Sequence, residues 1–598
     1  MATTELTGAE DVAWDLSDLY DGGDDPRIEQ DVEQTEAAAA AFRERYYERV
    51  AELSPGDLRE AIEERERIES TFTRAIYYAH LWFATDMNDS QRGALVARLT
   101  EKGAAVDTQL LFFGLEIAAF DDEHSDALLA SAELEKWRHW LRTIRKFRPY
   151  VLTESEEKIL TEKSVSGFAA WDRLYDELLG AIKVDLDGAE IGFEEAMSKL
   201  YSPDRDLRRR ASEAVTEALA PGLRTRTFVF NTIAVDKSID DRLRGYATWI
   251  SSRNLSNDTT DEAVEALIDA VVGRYDVVQR YYTLKAKLLG LDRLSFYDRM
   301  APLAEDTTQV EWSDARQLVL DAFADFSDAT GDVIARFFAE NWIDAPPRDG
   351  KRPGAFCATN VPGVHPYVFM NYTGDRRSVL TLAHELGHGL HGYLAQPLGF
   401  FNASSPLTTA ETASVFGEAL TFKRLLAIEE DPHRRLNLLA GRIEDSIATV
   451  YRQIAMNRFE HAVHTTRRDE GELSPEKFEE LWLGSQRQMF GDSVDTDGYA
   501  TWWSYIPHFI GTPGYVYAYS YGFLFALSIF RKYELEGESM VEPYLDVLRA
   551  GGSKTPEELA EMVGLDLTDR RIWDAGIDAL AVELDEAEAL AVDVGLGE

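Results

Sequence analysis

The sequence predicts a mainly α-helical protein with a small β element, and three observations carry that prediction. Apolar residues recur at helical spacing along most of the chain, helix-start signals punctuate it, and strand signals occupy two short stretches. At 598 residues, with 45% hydrophobic and 11% aromatic content, the chain buries a large core without disulfides and is no disordered polymer.

Taken in order, the run Ala37 to Ala41 reads as helix, and Ser54-Pro55 opens another. Ile182 to Ile191 reads as a hairpin turning at Asp187-Gly188. From Thr259 to Val272, the residues Val264, Leu267, Ile268, Val271 and Val272 line one helix face, with Thr259 and Glu262 as a capping box. Tyr367 to Tyr372 reads as a second strand region. Ser474-Pro475 starts a further helix, and Thr555-Pro556-Glu557-Glu558 starts one that Gly564 ends. There is no fixed-period repeat and no low-complexity linker. Length priors divide the chain into an N-terminal helical region, 1–190, and a catalytic region, 191–598.

The single cysteine, Cys357, excludes an intrachain disulfide and fits a reducing compartment. The N-terminal stretch MATTELTGAEDVAWDLSDLYDGGDDP is acidic and lacks an apolar run, and no stretch approaches 18 apolar residues. The expectation is a cytoplasmic protein with no membrane partner. A net charge of −45 argues against nucleic-acid partners, since phosphate neutralisation needs clustered cations. Lysine is depleted, about 15 of the 62 basic residues. Self-repulsion at this charge destabilises a compact state unless salt screens it, so the composition predicts a salty, halophilic cytoplasm.

The chemistry concentrates at residues 384–388, HELGH. On a helix, His384 and His388 project from one face and can share one zinc ion. Glu385 is turned about 100° from His384, so it reaches a water beside the ion without ligating it. That division of labour is what metal-assisted peptide hydrolysis needs. The preceding SVLTLA favours a buried helix, where two histidines and a glutamate are costly without a partner.

Two histidines and one acidic ligand leave a fourth position open. His391 lies about 10 Å along the axis from His384, too far for bonds of about 2 Å. A metzincin-type third histidine would fall at 394, which is Leu394. The segment TTAETASVFGEAL, 408–420, offers Glu411 as ligand and Glu418, seven residues on, to orient a histidine. Small residues around them allow close helix approach.

A third constellation is WWSYIPHFIGTPGYVYAYSYG, 502–522. Neutral donors from His508 and Tyr515 suit a developing oxyanion, and the Gly511–Gly514 loop is able to bring them over substrate. Trp502, Trp503 and Tyr521 read as packing, as do Cys357 and the helix histidines His461 and His464.

Together GKRPGAFC (350–357), HPYVFMNYTG (365–374), TLAHELGHGLH (381–391), AETASVFGEAL (410–420), the run from His508 and the early WDLSDLY resemble oligoendopeptidase F. Thimet oligopeptidase belongs to the wider group. The resemblance spans about residues 14 to 575. It implies a prolate, zincin-type helical fold around a deep channel, cleaving internal bonds of short peptides. It implies one Zn2+ on His384, His388 and Glu411, with Glu385 as general base. His508 and Tyr515 would contact the substrate and oxyanion, and Tyr519 is a further candidate. The thimet-type tyrosine seven residues past Tyr515 is Gly522 here, which leaves Tyr519 or Tyr521 to substitute. Gly514, and Tyr372 at the end of the strand expected to pair with extended substrate, complete the contacts. A metallocarboxypeptidase and a non-catalytic zinc-containing peptide binder are the competing readings. The charge makes its own prediction: molar KCl raises the thermal unfolding midpoint by about 5 °C or more over dilute buffer. A midpoint that falls or stays level in calorimetry would contradict the halophilic reading.

Overall fold

A computed structural model describes residues 6–303, 308–359 and 363–596; residues 1–5 of the stretch read for a targeting signal lie outside it. Helix accounts for 71% of the structure and strand for 3%, so the mainly α prediction holds. The chain forms two compact units, each assembled from three stretches. The first comprises Met1–Arg148, Thr307–Ala427 and Lys532–Leu565; the second comprises Pro149–Asp306, Ile428–Arg531 and Asp566–Glu598.

In the first unit three long helices, Pro26–Tyr46, Pro55–Ala84 and Ser90–Ala119, pack on one another. The first buries Ile28, Val32, Ala39 and Phe42 on one stripe. Ser54 caps the second through the Asp57 N–H at 3.2 Å. A three-stranded sheet runs Ile343–Asp344, Tyr367–Phe369, Phe356–Ala358, with the middle strand parallel to the first and antiparallel to the last. Trp14 of the early WDLSDLY packs on that sheet, 6.0 Å from the Tyr367 ring and 5.6 Å from Phe369. This corrects one expectation. Tyr367–Phe369 is paired on both sides, so it has no free edge for a peptide; Phe356–Ala358 is an outer strand.

In the second unit the predicted hairpin is present, Lys183–Leu186 against Ala189–Gly192. Asp187 and Gly188 both take positive φ, 56° and 83°, as a tight hairpin turn requires. Helices Leu223–Arg244, Arg452–Glu470 and Pro475–Phe490 surround an aromatic core. Phe478 stacks on Trp503 at 4.6 Å, and Trp502 and Trp503 are buried, as read from sequence. The helix read from Thr259 begins at Asp261, and its cap is Thr260, which accepts the Ala263 N–H at 3.2 Å. Thr259 is otherwise engaged: its hydroxyl meets that of Tyr521 at 3.0 Å. The Thr555–Glu558 capping box forms as predicted. Among the described residues no single helix is long and apolar enough to cross a membrane.

Candidate metal centre and the tyrosine loop

The HELGH motif lies in the helix Arg376–Ala395, capped by Asp375, whose carboxylate accepts the Ser378 N–H at 2.7 Å. Val379, Leu382, Ala383 and Leu386 face the core. That leaves His384 and His388 together on another face, with ring centroids 5.0 Å apart. Glu411 does not belong to the helix that bears Glu418, although a spacing of seven residues would put both on one face of a continuous helix. One short turn, Leu407–Ala410, ends before it, and the helix Ser414–Ile428 begins after it. Glu411 therefore reaches inward from the break. Its Oε2 lies 3.3 Å from His384 Nε2 and 3.5 Å from His388 Nε2. One donor atom from each of the three side chains falls within 4.8 Å of the others, an arrangement able to hold one metal ion. Ser414 Oγ donates to Glu411 Oε2 at 2.6 Å and steadies it.

Backbone proximity makes this possible. A Cβ at Gly387 would fall on the Ala413 carbonyl oxygen and within 2.6 Å of Ser414 Cα. Gly417 repeats the device, since a Cβ there would meet the Phe323 ring and lie 3.2 Å from the Ala383 carbonyl. From the same second helix, Glu418 Oε2 sits 3.2 Å from His384 Nδ1. With the Nδ1–H donated to that carboxylate, Nε2 presents its lone pair toward Glu411.

The electrostatics call for a cation. Burial pulls the His384 imidazole down, but the Glu418 hydrogen bond and the Glu411 and Glu418 charges outweigh it and raise it to about 9. His388, where burial dominates, drops to about 4. Two nitrogen donors, one carboxylate and surplus negative charge fit a divalent ion of borderline softness. Glu385 is buried, and burial pushes its carboxyl up to about 7, with the charge of Glu411 adding and His384 opposing. Cys357 is near enough that the Glu385 charge adds to the rise burial gives its thiol. His391 is buried and hydrogen-bonded to Ser405 Oγ at 3.2 Å, apart from the cluster.

The second unit gathers His508, Tyr515 and Tyr519. His508 Nε2 lies 3.3 Å from Tyr519 Oη, its ring is parallel to Tyr515 at 6.2 Å, and Tyr519 meets Tyr515 edge-on at 5.2 Å. Tyr519 is exposed; Tyr521 is wholly buried, with its hydroxyl on Thr259, so it does not stand in for the tyrosine that Gly522 replaces. Tyr372 is also corrected. It is fully buried and donates to the Val310 carbonyl at 2.7 Å, so its side chain has no face open to a substrate. Gly514 takes φ of 77°, and its N–H donates to Glu460 Oε1 at 2.8 Å. Glu460 is fully buried and was missed in the sequence, because 54 residues separate it from the loop. His464 stacks on Trp249 at 4.7 Å, and His461 Nδ1 accepts the Trp249 indole N–H at 3.1 Å, so both engage that indole.

Residues 322–579 match the profile of peptidase family M3, and residues 116–183 match that of Oligopeptidase F. Oligopeptidase PepF of Bacillus subtilis is 28% identical over 557 residues, covering 90% of this chain and 82% of that protein. An oligoendopeptidase F homolog of Borreliella burgdorferi is 25% identical over 589 residues, covering 96% and 98%. A solved Chlamydophila abortus protein described as a peptidase superposes with a TM-score of 0.87 at 22% identity, over 98% of this chain and 99% of that one. Oligoendopeptidase-F from Enterococcus faecium gives 0.69 at 22% identity, over 95% and 98%. At these identities the two structures bear on fold alone.

The Gly387 contact generates a prediction. Gly387→Ala costs about 1–3 kcal/mol, because a backbone carbonyl occupies the space of the new methyl, and it lowers metal affinity by moving the Glu411 turn. Gly441→Ala, a helical site with open space, gains up to about 1 kcal/mol. Denaturant titration and metal content by mass spectrometry check both; equal effects at the two sites would contradict the packing argument.

Proposed function

The chain belongs to peptidase family M3, and on that premise we propose that it is a zinc metalloendopeptidase cleaving internal bonds of short oligopeptides in the cytoplasm. A peptidase role follows from the family. The relatives named as oligopeptidases support oligopeptides as the substrate class. The observation that carries the finer reading is the convergence of His384, His388 and Glu411 donors within 4.8 Å, with Glu385 one residue along the helix.

In this reading His384, His388 and Glu411 hold one Zn2+. When bound, zinc supplies Lewis-acid polarisation of a water and of the scissile carbonyl. Glu385 takes the proton from the attacking water and delivers it to the leaving amine. A carboxyl raised toward 7 by burial suits both transfers near neutral pH. Glu418 keeps the His384 proton on Nδ1. His508 and Tyr515 donate to the developing oxyanion, and Gly514 and exposed Tyr519 contact the substrate chain. The outer strand Phe356–Ala358 offers main-chain pairing to an extended peptide, which tolerates varied side chains.

The test is a C-terminally amidated, internally quenched peptide in high salt, with the cut located by mass. The expected result is internal cleavage that a chelator abolishes and zinc restores. Trimming only of the free-carboxylate version would make the enzyme a carboxypeptidase. Glu385→Gln is expected to retain zinc while kcat falls about 10²–10⁴-fold; wild-type turnover in that variant would remove Glu385 from the chemistry.

A further inference from the structure

A cavity of about 530 Å³ in the second unit takes no part in the chemistry above. Its volume falls in the range of small-molecule sites. One wall is the helix Arg452–Glu470, which presents Asn457, Arg458 and His461. Asn457 is 1% exposed, and neither its amide nitrogen nor its amide oxygen has a hydrogen-bond partner. A buried amide left wholly unpaired is costly and asks for an occupant. Among the described residues, half-buried Arg458 makes no hydrogen bond and no ion pair. His461 Nδ1 is taken by the Trp249 N–H, so the ring proton sits on Nε2 and that nitrogen is a donor. Three donors thus stand side by side on one wall.

The helix Asp261–Gly273 forms the facing wall and carries two stripes at i, i+4 spacing. Glu265 and Asp269 are exposed carboxylates whose charges reach Arg458 without pairing to it. Val264, Ile268 and Val272 form an aliphatic stripe beside them. Donors for a carboxylate, acceptors for an ammonium and an aliphatic surface between them match one chemistry.

We propose that this cavity binds a small zwitterion, a free α-amino acid or dipeptide with an aliphatic side chain. Its carboxylate sits on Arg458, Asn457 and His461, its ammonium on Glu265 and Asp269, and its side chain on Val264, Ile268 and Val272. Trp249, which lines the cavity, also packs under Gly514, where a Cβ would lie 3.3 Å from its ring. An occupant therefore touches the support of the tyrosine loop. The proposal does not depend on the reading of the metal centre.

The test is isothermal titration of the zinc-loaded protein in high salt with L-leucine and with Leu-Leu. Leucine methyl ester and N-acetylleucine, each lacking one charge, serve as controls. Leucine has no peptide bond, so its binding reports on the cavity whether or not the chain hydrolyses peptides. The expected result is one site per chain for at least one zwitterion, with binding weakened at least tenfold in both controls. Arg458→Gln is expected to weaken it at least tenfold as well. Asn457→Leu removes the unpaired amide without opening a void, so it keeps the fold and loses the ligand. Absence of binding by both zwitterions, each at 10 mM, would overturn the proposal. So would binding that Arg458→Gln and Asn457→Leu leave unchanged, which would place the probe elsewhere.

Discussion

The contact between Gly387 and the Ala413 carbonyl sets the geometry on which the candidate metal centre depends. It brings the break before the helix Ser414–Ile428 against the motif helix at backbone distance. Only from there does the short Glu411 side chain reach both histidines. The second approach, at Gly417, keeps the two helices from splaying and carries Glu418 to the far nitrogen of His384. The donor set is thus placed by packed backbone rather than by the reach of flexible side chains. Rigid placement lowers the ordering cost of assembling such a site.

Burial then gives the neighbouring side chains different tasks. Glu385 and Glu411 are both glutamates beside the same two histidines, yet one is held above its ordinary range and the other below it. Burial raises both; the His388 and His384 charges and the Ser414 hydroxyl reverse the trend at Glu411 alone. Opposite shifts in two glutamates are produced here by position, not by residue type.

Much of this was legible in the sequence because it is local. The spacing of His384 and His388 expresses the helical period, Asp187-Gly188 expresses a turn that needs two positive φ angles, and Thr555 and Glu558 cap each other across three residues. What was not legible depends on distant partners. The small residues around Glu411 promised close approach but did not show that the helix breaks at 411–413. Tyr372 looks available until Val310 is seen to take its hydroxyl, and Thr259 looks like a cap until Tyr521 is seen to claim it. Periodicity marks Tyr367–Phe369 as a strand but is silent on which neighbours flank it. Nor does any local signal reveal that each unit is assembled from three separated stretches, whereas length priors drew one boundary at residue 190.

The interleaving bears on how the protein is made. Every proposed ligand and Glu385 have been synthesised by residue 411, but the segment that presents Glu411 rests on residues made much later. Tyr544 donates to the Thr412 carbonyl at 3.2 Å and stacks on Phe416 at 4.2 Å, and Gly552 N–H bonds the Asn402 carbonyl at 2.8 Å. A nascent chain halted after Ala427 carries the whole motif without the brace that orients it. The turn that presents Glu411 therefore gains its full set of contacts only once the stretch through Leu565 has been made and has docked.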